Sequence, residues 1–199
     1  MHYIQQPQAI ERKSFEIISE IIAETRPEYR FDSPLHEAII KRVIHTTADF
    51  EWLDILWFSP DALTRLCEAL SRPCTLYTDT TMALSGINKT RLAEWGCEVK
   101  CFVAHPEVAD VAKAKGITRS MAAVDLAMQQ PGPRLFVFGN APTALFHLLE
   151  VVADDPSLAP AAVLGIPVGF IGAAESKQAL ADNPFGIEYI VVHGRRGGS

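Results

Sequence analysis

His45 is the side chain in this sequence best suited to acid–base chemistry. It lies near the end of a predicted helix, PLHEAIIKRVIHTT, whose N-cap is Ser33. The apolar stripe of that helix is formed by Leu35, Ile39 and Val43. His45 lies off this stripe, one turn after Lys41 and Arg42, and an imidazole that titrates near pH 7 suits proton delivery. The alternative interpretation is an exposed or helix-capping histidine without a chemical role.

A serine interrupts the apolar stripe of the first predicted helix, which ends before Pro27. The stripe is formed by isoleucines at helical spacing, namely Ile10, Ile17, Ile18, Ile21 and Ile22. Ser14 falls on the same face. A hydroxyl there either bonds back to the preceding turn or contacts a ligand, and the spacing does not choose between the two.

Two glycine-containing turns suggest an anion-binding cleft. Each follows a β-prone run and leads into a helical run: LFVFGNAPTALFHLLE at 135–150 and AAVLGIPVGFIGAAESK at 161–177. The first N–H groups of a helix lack helical partners and attract anions, so we expect Gly139 and Asn140 to bind a ligand carboxylate. Neither turn is G-x-G-x-x-G or G-x-x-x-x-G-K-[ST], which argues against the common nucleotide sites.

Two further polar residues, Thr81 and Arg119, lie at positions where ligands bind in α/β folds. Thr81 belongs to a run of short polar residues, TDTT, at the carboxyl end of the predicted strand CTLYT. These side chains either cap the next helix or bind ligand. Arg119 opens a helix after Gly116, where its guanidinium can clamp a carboxylate unless it is simply solvated.

Strand and helix patterns alternate along the rest of the chain. Predicted strands lie in LDILWF, CTLYT, EVKCFVA, RLFVFG, AAVLG and IEYIVVHG, with helices near 89–95, 119–130, 144–152 and 173–181. About six strands separated by helices predict a mostly parallel sheet covered on both faces. We therefore expect an α/β fold of the Rossmann-like, three-layer type, in a single domain over residues 1–199.

Composition narrows the class of protein. The chain carries a net charge of −6 and no long basic patch, which argues against nucleic acid or an anionic membrane as a partner. It has no apolar signal core and no run near the ~20 apolar residues of a membrane span, so we expect a cytoplasmic protein.

The histidines and cysteines do not predict a metal centre. His36 and His45 point to opposite faces of their helix, and H-E-x-x-H and C-x-x-C motifs are absent from the sequence. Cys97 and Cys101 are too far apart along a strand for one disulfide. We expect the four cysteines to be buried free thiols.

Several segments together resemble one family, precorrin-8X methylmutase, also called cobalt-precorrin-8 methylmutase. They are ERKSF at 11–15, RVIH at 42–45, FSPD at 58–61, GITRS at 116–120, GNAPTALFHLLE at 139–150, LGIPVGFIGAAESK at 164–177 and GRRGGS at 194–199. The resemblance covers nearly the whole chain. It departs from some members at DTTMALSG, where an acidic residue and a histidine are expected. Members often continue past GRRGGS into another helix, so we expect a chain without it to bind substrate less tightly.

The resemblance implies an isomerase of corrin biosynthesis that moves a methyl group from C-11 to C-12 of the macrocycle, giving hydrogenobyrinate or cobyrinate. It makes His45 the catalytic proton donor, and Ser14, Arg42 and Arg119 substrate contacts. It also implies a homodimer, with the substrate near the subunit boundary, and no external cofactor. A non-catalytic corrinoid carrier and a nucleotide-dependent enzyme on a Rossmann-like sheet are the competing hypotheses.

Overall fold

The computed structural model describes residues 3–199. These residues group into two compact units, one ending at Leu56 and one beginning at Trp57. The first unit contains the helices α1 (Pro7–Thr25), α2 (Pro34–Thr47) and α3 (Trp52–Ile55). As predicted, Ser33 caps α2 by accepting the N–H of His36 at 3.1 Å.

The second unit contains the sheet. The first strand of the sheet begins at Leu56, which is the last residue of the first unit. Its strands are β1 (Leu56–Phe58), β2 (Thr75–Thr78), β3 (Glu98–Lys100), β4 (Arg134–Phe138), β5 (Ala162–Gly165) and β6 (Glu188–Val192). Its helices are α4 (Ala62–Leu70), α5 (Thr81–Gly86), α6 (Lys89–Glu94), α7 (Pro106–Lys115), α8 (Arg119–Met128), α9 (Pro142–Asp154) and α10 (Ala173–Ala181). The six strands confirm the predicted number.

The strand order places one edge of the sheet in position to bind ligands. The order is β1-β6-β5-β4-β2-β3, and every neighbouring pair from β6 to β3 is parallel. From β2 the chain moves outward to β3 and then returns to β4, so the order reverses between β2 and β4. Ligands of doubly wound sheets bind at the carboxyl ends of the strands beside such a reversal. We call this side of the sheet the carboxyl edge.

Side-chain alternation along the strands covers both faces of the sheet. In β4, Phe136 and Phe138 pack with residues of α8, α9 and α10, whereas Leu135 packs with residues of α4 and α6. The buried hydrophobic side chains therefore form one core above the sheet and another below it. This confirms the prediction of helices on both faces.

Several details differ from the sequence prediction. Residues 53–55 of the predicted strand LDILWF belong to α3, and only Leu56–Phe58 form β1. Strand β3 ends at Lys100, so the predicted strand EVKCFVA is cut short. All four cysteines are free, as predicted, but only Cys74 and Cys97 are buried: Cys67 is exposed on the outer side of α4, and Cys101 is half-buried. The parallel register of β2 and β3 places the Cys97 sulfur 3.3 Å from that of Cys74, a contact between residues 23 positions apart that spacing alone does not predict.

Candidate active site

The first unit brings His45 and Ser14 together. His45 lies in the last turn of α2, and its Nδ1 is 2.7 Å from the Ser14 hydroxyl on α1. The Phe15 ring stacks on the imidazole, with ring centroids 5.5 Å apart and planes 13° from parallel. Both polar side chains are half-buried. Ser14 therefore has a partner on another helix rather than a bond to its own preceding turn, and the imidazole is held at one nitrogen and one face.

This arrangement suits reversible proton transfer. A hydroxyl both donates and accepts, so Ser14 can bond to Nδ1 whether that nitrogen is protonated or not. The other nitrogen, Nε2, has no hydrogen-bond partner in the described part of the chain. It is the atom of His45 left to give or take a proton.

The imidazole opens into an apolar groove of about 460 Å³ in the same unit, here called the imidazole groove. Its walls are mostly isoleucines of α1 and α2, including Ile10, Ile17, Ile18 and Ile44. Polar groups are few: Ser14, His45 and Lys13. Such a surface, apolar with a small number of placed polar groups, is typical of sites for organic ligands.

Arg42 lies beside this pair but already has partners. It forms an ion pair with Glu11, and its guanidinium lies 4.8 Å from the centroid of the Phe15 ring. Sequence reasoning missed Glu11 and Phe15. The signal was present, because Glu11, Ser14 and Phe15 share one helical face within the segment ERKSF.

At the carboxyl edge, the first glycine turn is filled by a side chain of the protein itself. The buried carboxylate of Asp79 accepts the N–H groups of Gly139, Asn140 and Ala141 at 2.9, 2.8 and 2.6 Å. The expectation that the backbone of Gly139 and Asn140 binds a ligand carboxylate is therefore wrong. Gly139 is also covered, because a Cβ there would lie 2.7 Å from the Cα of Ser199. The side chain of Asn140 remains exposed.

The other two predicted residues of this edge lie on the surface. Thr81 is the exposed first residue of α5, and the neighbouring Thr80 is the cap, accepting the N–H of Ala83 at 3.1 Å. Arg119 is the exposed first residue of α8 and forms no ion pair with any described residue. The hydroxyls of Thr118 and Thr143 are 3.2 Å apart, so the starts of α8 and α9 adjoin. Arg119 and Asn140 therefore belong to the same edge.

Comparisons with known proteins identify the family. The family model described as precorrin-8X methylmutase matches residues 9–199. This chain belongs to the precorrin-8X methylmutase family. A cobalt-precorrin-8 methylmutase of Salmonella typhimurium is 63% identical over 200 residues, covering all of this chain and 92% of that protein. A precorrin-8X methylmutase of a Sinorhizobium species is 39% identical, covering 99% of this chain and 90% of that protein.

A solved structure agrees as well. The precorrin-8x methyl mutase of Thermus thermophilus has a TM-score of 0.81 at 38% identity, covering 96% of this chain and 88% of that chain. As a member of the methylmutase family, this chain is an isomerase of cobalamin biosynthesis that transfers a methyl group within one molecule. Within residues 3–199, no helix is long and apolar enough to cross a membrane. In that range no three His, Cys, Asp or Glu side chains are grouped to hold a metal ion.

Proposed function

We propose that this methylmutase acts on precorrin-8X or cobalt-precorrin-8 and moves the methyl group from C-11 to C-12, with His45 as proton donor and acceptor. The observation that carries the proposal is the pairing of His45 with Ser14 in an apolar groove. It provides one mobile proton in surroundings that suit a large conjugated ring.

The reaction needs little else from the protein. A proton given by Nε2 to a macrocycle nitrogen makes the conjugated system electron-poor and lowers the barrier to a 1,5-shift of the methyl group. The bond to C-11 breaks as the bond to C-12 forms, and the proton then returns to His45. No atom is gained or lost. One general acid of this kind contributes roughly 10²–10⁴-fold in rate.

Binding of the peripheral carboxylates is assigned to exposed polar groups. Arg119, Thr81 and Asn140 lie on the carboxyl edge, and Arg42 lies beside the imidazole groove. Arg42 must exchange Glu11 for a substrate carboxylate to take part. Because the whole chain carries a charge of −6, these local cations must outweigh a long-range repulsion that salt screens.

The relative at 63% identity is named for the cobalt-containing substrate, which supports cobalt-precorrin-8 as the natural substrate here. The metal would enter as part of the macrocycle. It needs no ligand from the protein.

We further propose that residues 1–199 form one methylmutase-like domain, which the unbroken family match supports, and that the chain is a cytoplasmic homodimer. Exposed Ile10 and Ile17 beside the imidazole groove support a subunit contact there. Four free cysteines are typical of a reducing compartment. Sedimentation equilibrium tests the dimer, and a monomer at micromolar concentration would contradict it.

The proposed function is tested by measuring whether the purified chain converts its substrate. The purified chain is incubated separately with precorrin-8X and cobalt-precorrin-8 while the absorbance spectrum and the product mass are followed. We expect a changed chromophore at unchanged mass, faster with the cobalt form. Tight binding with an unchanged spectrum would instead indicate a carrier, and absence of binding would reject the substrate assignment.

A further inference from the structure

Lys177 is a buried cation that the proposed reaction does not use. It lies on α10 and is 2% exposed, which is rare for a lysine. Its ammonium donates one hydrogen bond, to the carbonyl of Arg196 at 2.6 Å. It forms no ion pair with the residues that the structure describes. The nearby titratable group is His193, at the end of β6, whose pKa is lowered by burial and by the charge of Lys177.

Such a lysine costs stability. Burial lowers the pKa of Lys177 to about 8, which means that the folded protein disfavours the charged form. A methionine of similar length would fill the same space without a charge to desolvate, and replacements of that type are often neutral or stabilising. Packing of the folded core therefore does not explain why residue 177 is a lysine. The role of Lys177 is indicated by its one polar contact, the hydrogen bond to the carbonyl of Arg196.

That contact fixes residues 194–198, here called the arginine segment, on the carboxyl edge. The N–H of Gly169 donates to the carbonyl of Arg195 at 3.2 Å, and the N–H of Gly198 donates to the carbonyl of Ile166 at 3.0 Å. A Cβ at Gly197 would overlap the Ile166 carbonyl oxygen, so the two backbones can be this close only with glycine. The segment lies against the loop that follows β5.

Held in this way, the arginine segment presents a cation beside an aromatic ring. The Arg195 guanidinium lies 5.6 Å from the centroid of the Phe170 ring. Arg195 is exposed and forms no ion pair within the described chain, and Phe170 and Ile171 are 84% and 92% exposed. A guanidinium next to an open apolar ring matches a ligand that has both a conjugated rim and carboxylates.

We propose that Lys177 is a positioning residue: by holding the Arg196 carbonyl, it fixes the arginine segment so that Arg195 binds a peripheral carboxylate of the macrocycle while Phe170 contacts its rim. This inference rests on the proposed function, because it takes the substrate to be a tetrapyrrole. It adds a carboxylate-binding group at the end of β6 to those already assigned near β2 and β4.

The test compares KM, kcat and thermal unfolding at pH 7 for Arg195→Gln, Lys177→Met, their double variant and Lys177→Gln, using the faster of the two precorrin substrates. Arg72→Gln is the matched control, because Arg72 is exposed and precedes β2 at the opposite edge. We expect KM to rise about 5- to 10-fold in both single variants, with kcat nearly unchanged. The double variant should be no worse than Arg195→Gln alone. Lys177→Gln, which keeps a donor, should recover part of the loss, and Lys177→Met should unfold no earlier than wild type.

A wild-type KM in Lys177→Met would overturn the positioning role. A double variant whose rise in KM equals the product of the rises in the two single variants would overturn it as well. An unchanged KM in Arg195→Gln would overturn the carboxylate contact. With any of these outcomes, turnover of the substrate by the wild-type chain would still support the proposed function. A wild-type chain that converts neither substrate would overturn the proposed function and this inference together.

Discussion

The imidazole groove and the carboxyl edge use polar groups in opposite ways. In the groove, one hydroxyl and one imidazole stand among isoleucines, joined by a single hydrogen bond of 2.7 Å. At the edge, polar groups are spread over the ends of several strands and helices. There the Asp79 carboxylate alone holds three backbone N–H groups.

From this difference we infer that the imidazole groove carries out the chemical step and that the carboxyl edge binds the substrate. A group that transfers a proton needs one free atom, and Nε2 of His45 is such an atom. Groups that bind a polyanion need many contacts of modest strength, the role that we propose for the exposed Arg119, Thr81 and Asn140. We therefore expect substitutions in the groove to lower kcat and substitutions at the edge to raise KM or lower stability.

The largest effect at the edge is expected from Asp79→Ala. Removing the carboxylate leaves three N–H groups without their acceptor, so the free energy of unfolding should fall by about 3–5 kcal/mol. Urea denaturation measures it, with Asp110→Ala on the exposed side of α7 as control. A loss below about 1 kcal/mol would mean that Asp79 does not hold the turn.

Arg119→Gln should raise KM about 10-fold with little change in kcat, because a charge-assisted contact to a carboxylate is lost while an uncharged polar side chain remains. Steady-state kinetics at two salt concentrations measures it, and added salt should weaken the wild type more than the variant. An equal fall in kcat would assign Arg119 to the chemical step rather than to substrate binding.

Ser14→Ala should lower kcat about 3- to 10-fold and leave KM within about 2-fold, because the imidazole loses the bond that orients it but keeps Nε2. Ser71→Ala, whose hydroxyl bonds only to a carbonyl of its own helix end, is the control. A KM that rises at constant kcat would make Ser14 a substrate contact instead.

The last prediction concerns pH and Lys177. The pKa of this lysine is about 8 in the folded chain and has its ordinary value near 10.5 in the unfolded chain. Between these values the unfolded state binds more protons, so stability rises with pH. Wild type should therefore gain up to about 3 kcal/mol over Lys177→Met between pH 8 and 10.5. A constant difference between the two unfolding curves would contradict the buried ammonium.

The spacing of apolar residues predicted most of the architecture, because residues that face the core recur with the period of the strand or helix that carries them. The alternation in RLFVFG follows from local packing, and the parallel sheet follows from the order of strands and helices. The helix α2 was predicted, but its buried face was not: the buried residues are His36, Ile40 and Ile44, whereas the spacing indicated Leu35, Ile39 and Val43. The role of His45 came from a family resemblance, which made Ser14 a substrate contact; that Ser14 orients the imidazole is inferred from the structure instead. Their hydrogen bond joins residues 31 positions apart, and the spacing within either helix does not contain it.

Asp79 shows where sequence reasoning failed. The first glycine turn was expected to bind an anion, and it does, but the anion belongs to the protein. Recognising this requires knowing that β2 and β4 are neighbours although β3 lies between them in sequence. The contact of Lys177 with Arg196 has the same character, since a lysine in a helical run has no local signature of burial.

The central claim is that His45 transfers the proton while other groups hold the substrate. The most direct test is to measure, for His45→Ala and the control His105→Ala, both the dissociation constant of the substrate and its conversion rate at saturation. We expect a dissociation constant near that of wild type and a rate lower by roughly 10²–10⁴-fold for His45→Ala, with His105→Ala unaffected. Weakened binding with a normal saturated rate for His45→Ala would contradict it.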